Sequence, residues 1–302
     1  MPEYPDIIIY IERLNELLQG RPVQNVRMAS PFLLRTFDPP IESINNKTIL
    51  NFERIGKRII FVIEDELFLV LHLMIAGRLH WRDKDSKIPA KIGLAAFDFP
   101  NGTLLLTEAG TKKRASLHLI KGEIELSTFD QGGLEIFDAS LLDFKRRLLR
   151  ENHTLKRAIT DPRLFSGIGN AYSDEILHRA GLSPVQLTQK MVDEQIEILY
   201  QATKATLIEW TERFQIETGD GFPEKVTAFR PEMAVHGRFG KSCPTCGTTV
   251  QRIRYAENET NYCPKCQTGG KLLADRSLSR LLKSDWPKNL EELEERRRDL
   301  NR

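Results

Sequence analysis

The stretch Cys243–Cys266 reads CPTCGTTVQRIRYAENETNYCPKC and holds all four cysteines of the chain. Cys243-Pro-Thr-Cys246 and Cys263-Pro-Lys-Cys266 are two knuckles separated by sixteen residues. Gly247 follows the first, and the β-favouring Thr248, Thr249, Val250, Ile253 and Tyr255 lie between them. Two knuckles closed by a β-hairpin present the four thiolates of tetrahedral zinc, so Cys243, Cys246, Cys263 and Cys266 are read as the ligands of one structural Zn2+. No thioredoxin-like βαβ pattern surrounds the pairs, which argues against two redox sites. Four protein ligands leave no open position, so this metal holds a fold and performs no hydrolysis.

Outward from the hairpin, the chain divides by period. Ile7, Ile11, Leu14 and Leu18 recur at helical spacing and Gly20 stands at the end, which predicts a helix over 5–19. Short β-rich runs follow at 47–53, 58–64, 67–73, 92–99, 103–107 and 115–120, with Asn101-Gly102 a hairpin signal. These predict a β-sandwich. From about 130 the spacing turns helical, at 141–151, 154–161, 170–180 and 188–218, with Gly/Pro punctuation between. The fold class is α+β: a leading helix and β-sandwich, then a helical domain, then the zinc ribbon and a 36-residue tail.

At 302 residues the chain is long enough for two hydrophobic cores. With 40% hydrophobic and 28% charged residues, disordered, collagenous and coiled-coil classes are excluded. MPEYPDIIIY lacks a signal-peptide pattern and no apolar run reaches the ~20 residues of a membrane span, so a cytoplasmic protein of bacterial nucleoid type, with no membrane partner, is expected. The net charge of +2 gives no reason to expect a polyanionic partner. Its distribution does. Lys145–Arg163 carries a local +5 and residues 221–270 a local +3. Such runs are read either as solvated helix faces or, beside a zinc ribbon, as a phosphate-tracking surface.

Ser166-Gly167-Ile168-Gly169-Asn170 precedes a helical pattern. It is a plain turn in which Asn170 caps the helix, or an anion site at a helix start.

Met1-Pro2-Glu3, Gly56-Lys57 before a strand, His72-Leu73 before a loop, Gly167-Ile168-Gly169-Asn170 opening a helix, and the four-cysteine hairpin occur in this order. Together they resemble the formamidopyrimidine-DNA glycosylase/endonuclease VIII family over residues 1 to about 267. The resemblance implies a catalytic β-sandwich (1–128), a helix-two-turn-helix domain (129–220), a lesion-capping loop region and zinc finger (221–270) and a charged tail (271–302), acting as a monomer on damaged double-stranded DNA held between the halves. It implies a bifunctional glycosylase and abasic-site lyase for oxidised bases, with purines such as 8-oxoguanine and formamidopyrimidines expected. The alternatives are an endonuclease VIII-like preference for oxidised pyrimidines and a non-catalytic damaged-DNA binder.

By the same resemblance Pro2 is the amine nucleophile after removal of Met1, Glu3 and Lys57 move protons, and Asp6, a shorter stand-in for a second glutamate, is a candidate proton relay. His72 and Asn170 clamp phosphates, although Leu-His-Leu is also the setting of an ordinary sheet histidine. Met74 or Ile75 fills the void of a flipped nucleotide, with core packing the alternative for both. The family's base-reading Asp-Pro-Arg-Arg-Phe-Gly loop is replaced by Glu108-Ala-Gly-Thr-Lys112-Lys113-Arg114, three cations expected on DNA. The family's zinc-finger arginine falls at Asn258, with Arg252 or Arg254 as substitutes for its charge. Residues 291–298 read as a solvated helix with Glu-to-Arg pairs, the alternative being a partner-binding or DNA-contacting extension.

Overall fold

The structure is a computed structural model that describes residues 1–224, 226–227, 229–255, 258–274 and 287–300. For residues 255, 258, 294, 297, 299 and 300 it describes the backbone alone. Contacts group the chain into two compact units, Met1–Gly132 with Ile208–Ala228, and Gly133–Leu207 with Phe229–Arg302.

The first unit opens with α1 (Tyr4–Leu18). Glu3 and Asp6 form a capping box, Pro5 sits in the first turn, and Gly20 ends the helix at φ +75°. Ile7, Tyr10, Leu14 and Leu18 are fully buried on one face. Asn15 pins that face to the sheet, donating to the Phe52 carbonyl and accepting from the Phe52 N–H.

Eight strands follow: β1 (Asn25–Met28), β2 (Ile49–Ile55), β3 (Arg58–Ile63), β4 (Leu67–His72), β5 (Gly77–Arg82), β6 (Gly93–Phe99), β7 (Gly102–Glu108) and β8 (Ser116–Lys121). They form two antiparallel sheets, ordered β1-β6-β7-β5 and β2-β3-β4-β8. Alternate residues build the core: Phe61, Leu69, Leu71, Leu117 and Leu119 from one sheet join Phe97, Leu104 and Leu106 from the other. Each such side chain contributes about 1.5–3 kcal/mol by leaving water. The opposite face of the second sheet is apolar too, where Ile60, Phe68, Val70 and Ile120 lie under Leu126 of α2 (Glu123–Ser127).

The expected sandwich is present, with two strands the sequence reading lacks. β1 and β5 are the two edges of the first sheet, where half-exposed polar residues blur the alternation. The expected hairpin at Asn101-Gly102 forms one residue earlier, since Phe99 pairs with Gly102 and Pro100-Asn101 make the turn. A Cβ on Gly102 would lie 2.3 Å from the Trp81 ring.

In the second unit α3 (Leu141–Leu148) starts on a Ser140/Asp143 capping box, followed by α4 (Leu155–Thr160) and α5 (Asn170–Arg179). The helix expected over 188–218 is a 3-10 turn, Thr188–Lys190, and then α6 (Asp193–Thr218). The last turns of α6 and the segment after it belong to the first unit. Gln215 bonds Glu12, Phe222 packs on Tyr10 and Val226 enters the first core. The ribbon hairpin is β9 (Gln251–Tyr255) with β10 (Asn258–Tyr262), then α7 (Pro264–Thr268). The tail ends in α8 (Leu290–Leu300), capped by Asn289. Among the described residues no helix is long and apolar enough to cross a membrane.

Candidate active site and zinc hairpin

Pro2 and Glu3 are buried at the start of α1. The Asp6 carboxylate, 1% exposed, accepts the Glu3 N–H at 2.9 Å, so Asp6 fixes the turn that presents the N-terminus. Burial lowers the pKa of the terminal amine below 8. Glu3 and Asp6 oppose that shift, while Arg78 and Lys57 add to it. The fold therefore gathers Glu3, Asp6, Lys57 and Arg78 around the N-terminus. Lys57 stands in the two-residue turn between β2 and β3, where Gly56 takes φ +61°. Arg78 was not a candidate from sequence, because it lies on the unrecognised edge strand β5.

His72 closes β4. Its Nδ1 accepts the Met74 N–H at 3.0 Å, which leaves Nε2–H as a donor without an acceptor among the described residues. Burial, then Arg58, Lys57 and His118, push its pKa down to about 4, so the ring is neutral at pH 7. It is thus a strand-end histidine with one nitrogen used internally and the other left to donate. In the loop beyond it, Met74 sits at φ +51°, in the left-handed region. Ile75 is 52% exposed, whereas Met74 is half-buried, so Ile75 is the displayed side chain. The loop closes through Gly77 N–H to the Leu73 carbonyl, so tightly that a Cβ on Gly77 would lie 2.3 Å from that oxygen.

The basic loop after β7 is organised by Glu108. Its buried carboxylate accepts the N–H groups of Arg114 (2.9 Å) and Ala115 (3.1 Å), and the Lys113 ammonium donates to the Glu108 carbonyl. Lys112, Lys113 and Arg114 are exposed.

In the second unit Gly167 takes φ +78° and Gly169, not Asn170, is the N-cap of α5. Asn170 is the first helical residue, and its amide donates to the Glu259 carbonyl of β10 at 2.9 Å. The capping role expected for Asn170 is therefore corrected: its side chain reaches across to the hairpin instead of back to the helix. Arg252 and Arg254 both contact the Glu259 carboxylate, at 3.1 and 3.3 Å, and Arg252 lies 4.1 Å over the Phe239 ring. The side chain of Asn258 lies outside the described residues, as do Lys225 and Ala228 of the segment expected to cap a lesion.

Below this surface Asp174, fully buried, accepts from Lys156, from His236 Nδ1 at 2.8 Å, and from the backbone and side-chain N–H groups of Asn261. The neighbouring Glu175 accepts the N–H groups of Ala234, Val235 and His236, and burial raises its pKa. α4, α5, the 234–236 segment and β10 are thereby tied to two adjacent carboxylates.

The four cysteine sulfurs lie within 4.8 Å of one another, with Cys246 to Cys263 at 3.4 Å and Cys243 to Cys266 at 4.0 Å. A zinc ion with ~2.3 Å bonds sets tetrahedral S···S edges of about 3.8 Å, so the set fits one structural Zn2+. His178 Nε2 lies 3.3 Å from the Cys243 sulfur, an outer contact that no cysteine spacing announces.

Three family models match the chain: the formamidopyrimidine-DNA glycosylase N-terminal domain over residues 1–112, the formamidopyrimidine-DNA glycosylase H2TH domain over 135–219, and the zinc finger found in FPG and IleRS over 240–269. The formamidopyrimidine-DNA glycosylase of Bacillus cereus (strain ATCC 10987) is 31% identical over 276 residues, 88% of this chain and 99% of that protein. An uncharacterized formamidopyrimidine-DNA glycosylase-like protein of Mycobacterium tuberculosis is 41% identical over 151 residues, 50% of this chain and 94% of that protein. The Lactococcus lactis Fpg solved with abasic-site DNA superposes with a TM-score of 0.75 at 25% identity, covering 88% of this chain and 99% of that one. Structures of the same protein with DNA containing Fapy-dG (a mutant form, TM-score 0.75) or an oxidised pyrimidine (0.76) agree equally well, each at 25% identity and covering 88% and 100%.

Proposed function

The chain belongs to the formamidopyrimidine-DNA glycosylase family, and from that premise we propose that this DNA glycosylase is bifunctional, excising oxidised bases from duplex DNA and cutting the strand at the abasic site. The observation that carries the reading is the buried N-terminus, held by the Glu3–Asp6 capping box beside Lys57 and Arg78. Once Met1 is removed, Pro2 offers a secondary amine in these surroundings, where burial and two cations favour the neutral, nucleophilic form.

In this reading the Pro2 nitrogen forms a bond to C1′ as the C1′–N bond to the base breaks, and the base departs with a proton. The C1′–O4′ bond then breaks as O4′ takes a proton, which leaves an iminium between C1′ and the Pro2 nitrogen; the iminium draws electrons from C1′, so the C2′ proton is lost to a base and the 3′ phosphate is expelled by β-elimination. Glu3 protonates the sugar-ring oxygen and Lys57 assists proton transfer at the base or phosphate. Asp6 holds the Glu3 backbone in place. The neutral His72 donates from Nε2 to a backbone phosphate, Asn170 also contacts a phosphate, and Ile75 occupies the space of the flipped nucleotide. Lys112, Lys113, Arg114, Arg252 and Arg254 add charge along the backbone. With Asn258 in place of the family's arginine, the product expected is that of β-elimination.

Oxidised purines such as 8-oxoguanine and formamidopyrimidines are the favoured substrates, supported by the Fapy-dG complex of the Lactococcus lactis protein. That protein's complex with an oxidised pyrimidine supports a second, endonuclease VIII-like reading. The enzyme works as a cytoplasmic, nucleoid-associated monomer. Borohydride trapping on abasic duplex DNA is the test. Protein verified by mass to lack Met1 forms a covalent adduct that maps to the Pro2 nitrogen and is abolished by acetylating that amine; absence of an adduct at Pro2 overturns the catalytic reading. The trapping rate rises with pH as the Pro2 amine loses its proton and then levels off, since only the neutral amine attacks. Duplexes each carrying one oxidised base decide the substrate class, and excision from none of them refutes base removal.

A further inference from the structure

One face of the β2-β3-β4-β8 sheet changes character along its length. The register sets Val62, Phe68 and Ile120 in one cross-strand row and Ile60, Val70 and His118 in the next. The apolar members of both rows are sealed by Leu126 and Phe129. The last row is Arg58, His72 and Ser116. Directly opposed residues share a face, and His118, two residues beyond Ser116, shares it too.

Arg58, His72, Ser116 and His118 are all half-buried. The Arg58 guanidinium lies 5.8 Å over the Phe129 ring and donates to the Phe129 carbonyl at 3.2 Å, and His118 meets the same ring edge-on at 5.1 Å. Phe129 thus aims two cation-capable groups at the end of the sheet. The backbone of Arg35 bonds Leu117 on β8, which brings a third, exposed cation alongside. No carboxylate pairs with Arg35, Arg58 or His118 among the described residues. Burial lowers the proton affinity of Arg58, His72 and His118, and Arg58 lowers that of both histidines further. A half-buried guanidinium without a counter-charge, flanked by neutral imidazole donors, is costly unless an anion joins it.

We propose that Arg58, the His72 Nε2–H and the Ser116 hydroxyl form a binding site for a backbone phosphodiester of DNA, with Arg35 and His118 adding to its field. The inference rests on the reading above, in which the neighbouring Lys57 turn and Leu73–Gly77 loop meet DNA. It adds a guanidinium, built for a forked hold on phosphate oxygens, to the single imidazole contact expected there. A row three strands wide spans about 10 Å, enough for one phosphate and its flanking sugars.

The test is the salt dependence of binding to a duplex carrying a tetrahydrofuran abasic analogue, read by fluorescence anisotropy between 50 and 200 mM salt. For Arg58→Gln the slope of log K against log salt becomes shallower by about 1, and Arg58→Lys restores it. An unchanged slope in Arg58→Gln, with the protein folded, overturns the proposal. If Arg58→Gln unfolds, Ser116→Asp takes its place: a carboxylate in the row reduces affinity and slope without touching the Arg58–Phe129 packing, and wild-type binding by this variant overturns the site. A wild-type protein that binds no duplex refutes the functional reading separately. Inorganic phosphate then decides the site alone: it shifts the imidazole resonances of His72 and His118 in the wild type and not in Arg58→Gln, or the site is absent.

Discussion

The start of the chain and the base of the zinc hairpin are both buried polar sites, but they are assembled in opposite ways. At the N-terminus Pro2, Glu3 and Asp6 lie within five residues and one turn of helix sets their geometry, with Lys57 added from the β2-β3 turn and Arg78 from β5. Around Asp174 the partners come from residues 156, 236 and 261, and no two of them are neighbours in sequence. Local assembly lets chemistry be changed while the fold persists. Long-range assembly makes the fold itself the casualty.

The largest effect belongs to the metal. Structural zinc contributes apparent free energies of about 10–16 kcal/mol in isolated finger peptides, so chelation should unfold β9, β10 and α7 while leaving the sandwich protected. Native mass spectrometry should count one zinc per chain, and hydrogen exchange should show protection lost around 243–266 and kept in β3 and β4. Uniform loss across both units would erase the contrast. Next, Asp174→Ala leaves the Lys156 ammonium beneath the surface without its carboxylate. A cost of about 3–5 kcal/mol is expected, measured by urea denaturation, and Pro2-dependent trapping should fall only as far as the second unit unfolds.

A smaller effect comes from His72. Its folded pKa of about 4 lies below the ordinary 6.5, so the folded state binds fewer protons between those values. The stability it contributes is complete above pH 6.5 and is lost as pH falls toward 4, at most about 3 kcal/mol. His72→Gln should flatten that part of the stability curve; an unchanged curve would mean that the ring is solvated. The smallest effect is at Met74, whose positive φ costs an L-residue roughly 1 kcal/mol. Met74→Gly should raise the melting temperature by a few degrees without lowering Ile75 exposure, and a drop would show that the Met74 side chain contributes more than its backbone loses.

The same contrast explains what the sequence discloses. α1, the cysteine knuckles, the Gly56-Lys57 turn and the Gly167–Asn170 segment are contiguous patterns, and each forms where the spacing places it. β1 and β5 escape because edge strands carry a weak alternation, and with β5 goes Arg78, the cation that joins the N-terminal cluster. Arg58 and His118 look like ordinary strand residues until the register lines them up with His72. Asn170 misleads for a related reason: an Asn before a helical run resembles a cap, and only the fold reveals the Glu259 carbonyl within its reach. Glu175 and His178 look like ordinary helix positions, yet one holds the N–H groups of residues 234–236 and the other touches a zinc ligand.

The shared carboxylate of Asp174 also limits how this protein can diverge. A lysine, a histidine and an asparagine all answer to one residue, so exchanging Asp174 for an apolar side chain strands all three. Related sequences should vary at 156, 174, 236 and 261 as a set or keep all four. The 112–114 loop is held instead through Glu108 and the backbone N–H groups of Arg114 and Ala115, so a change of its exposed side chains leaves that carboxylate's bonds in place and lineages are free to part there.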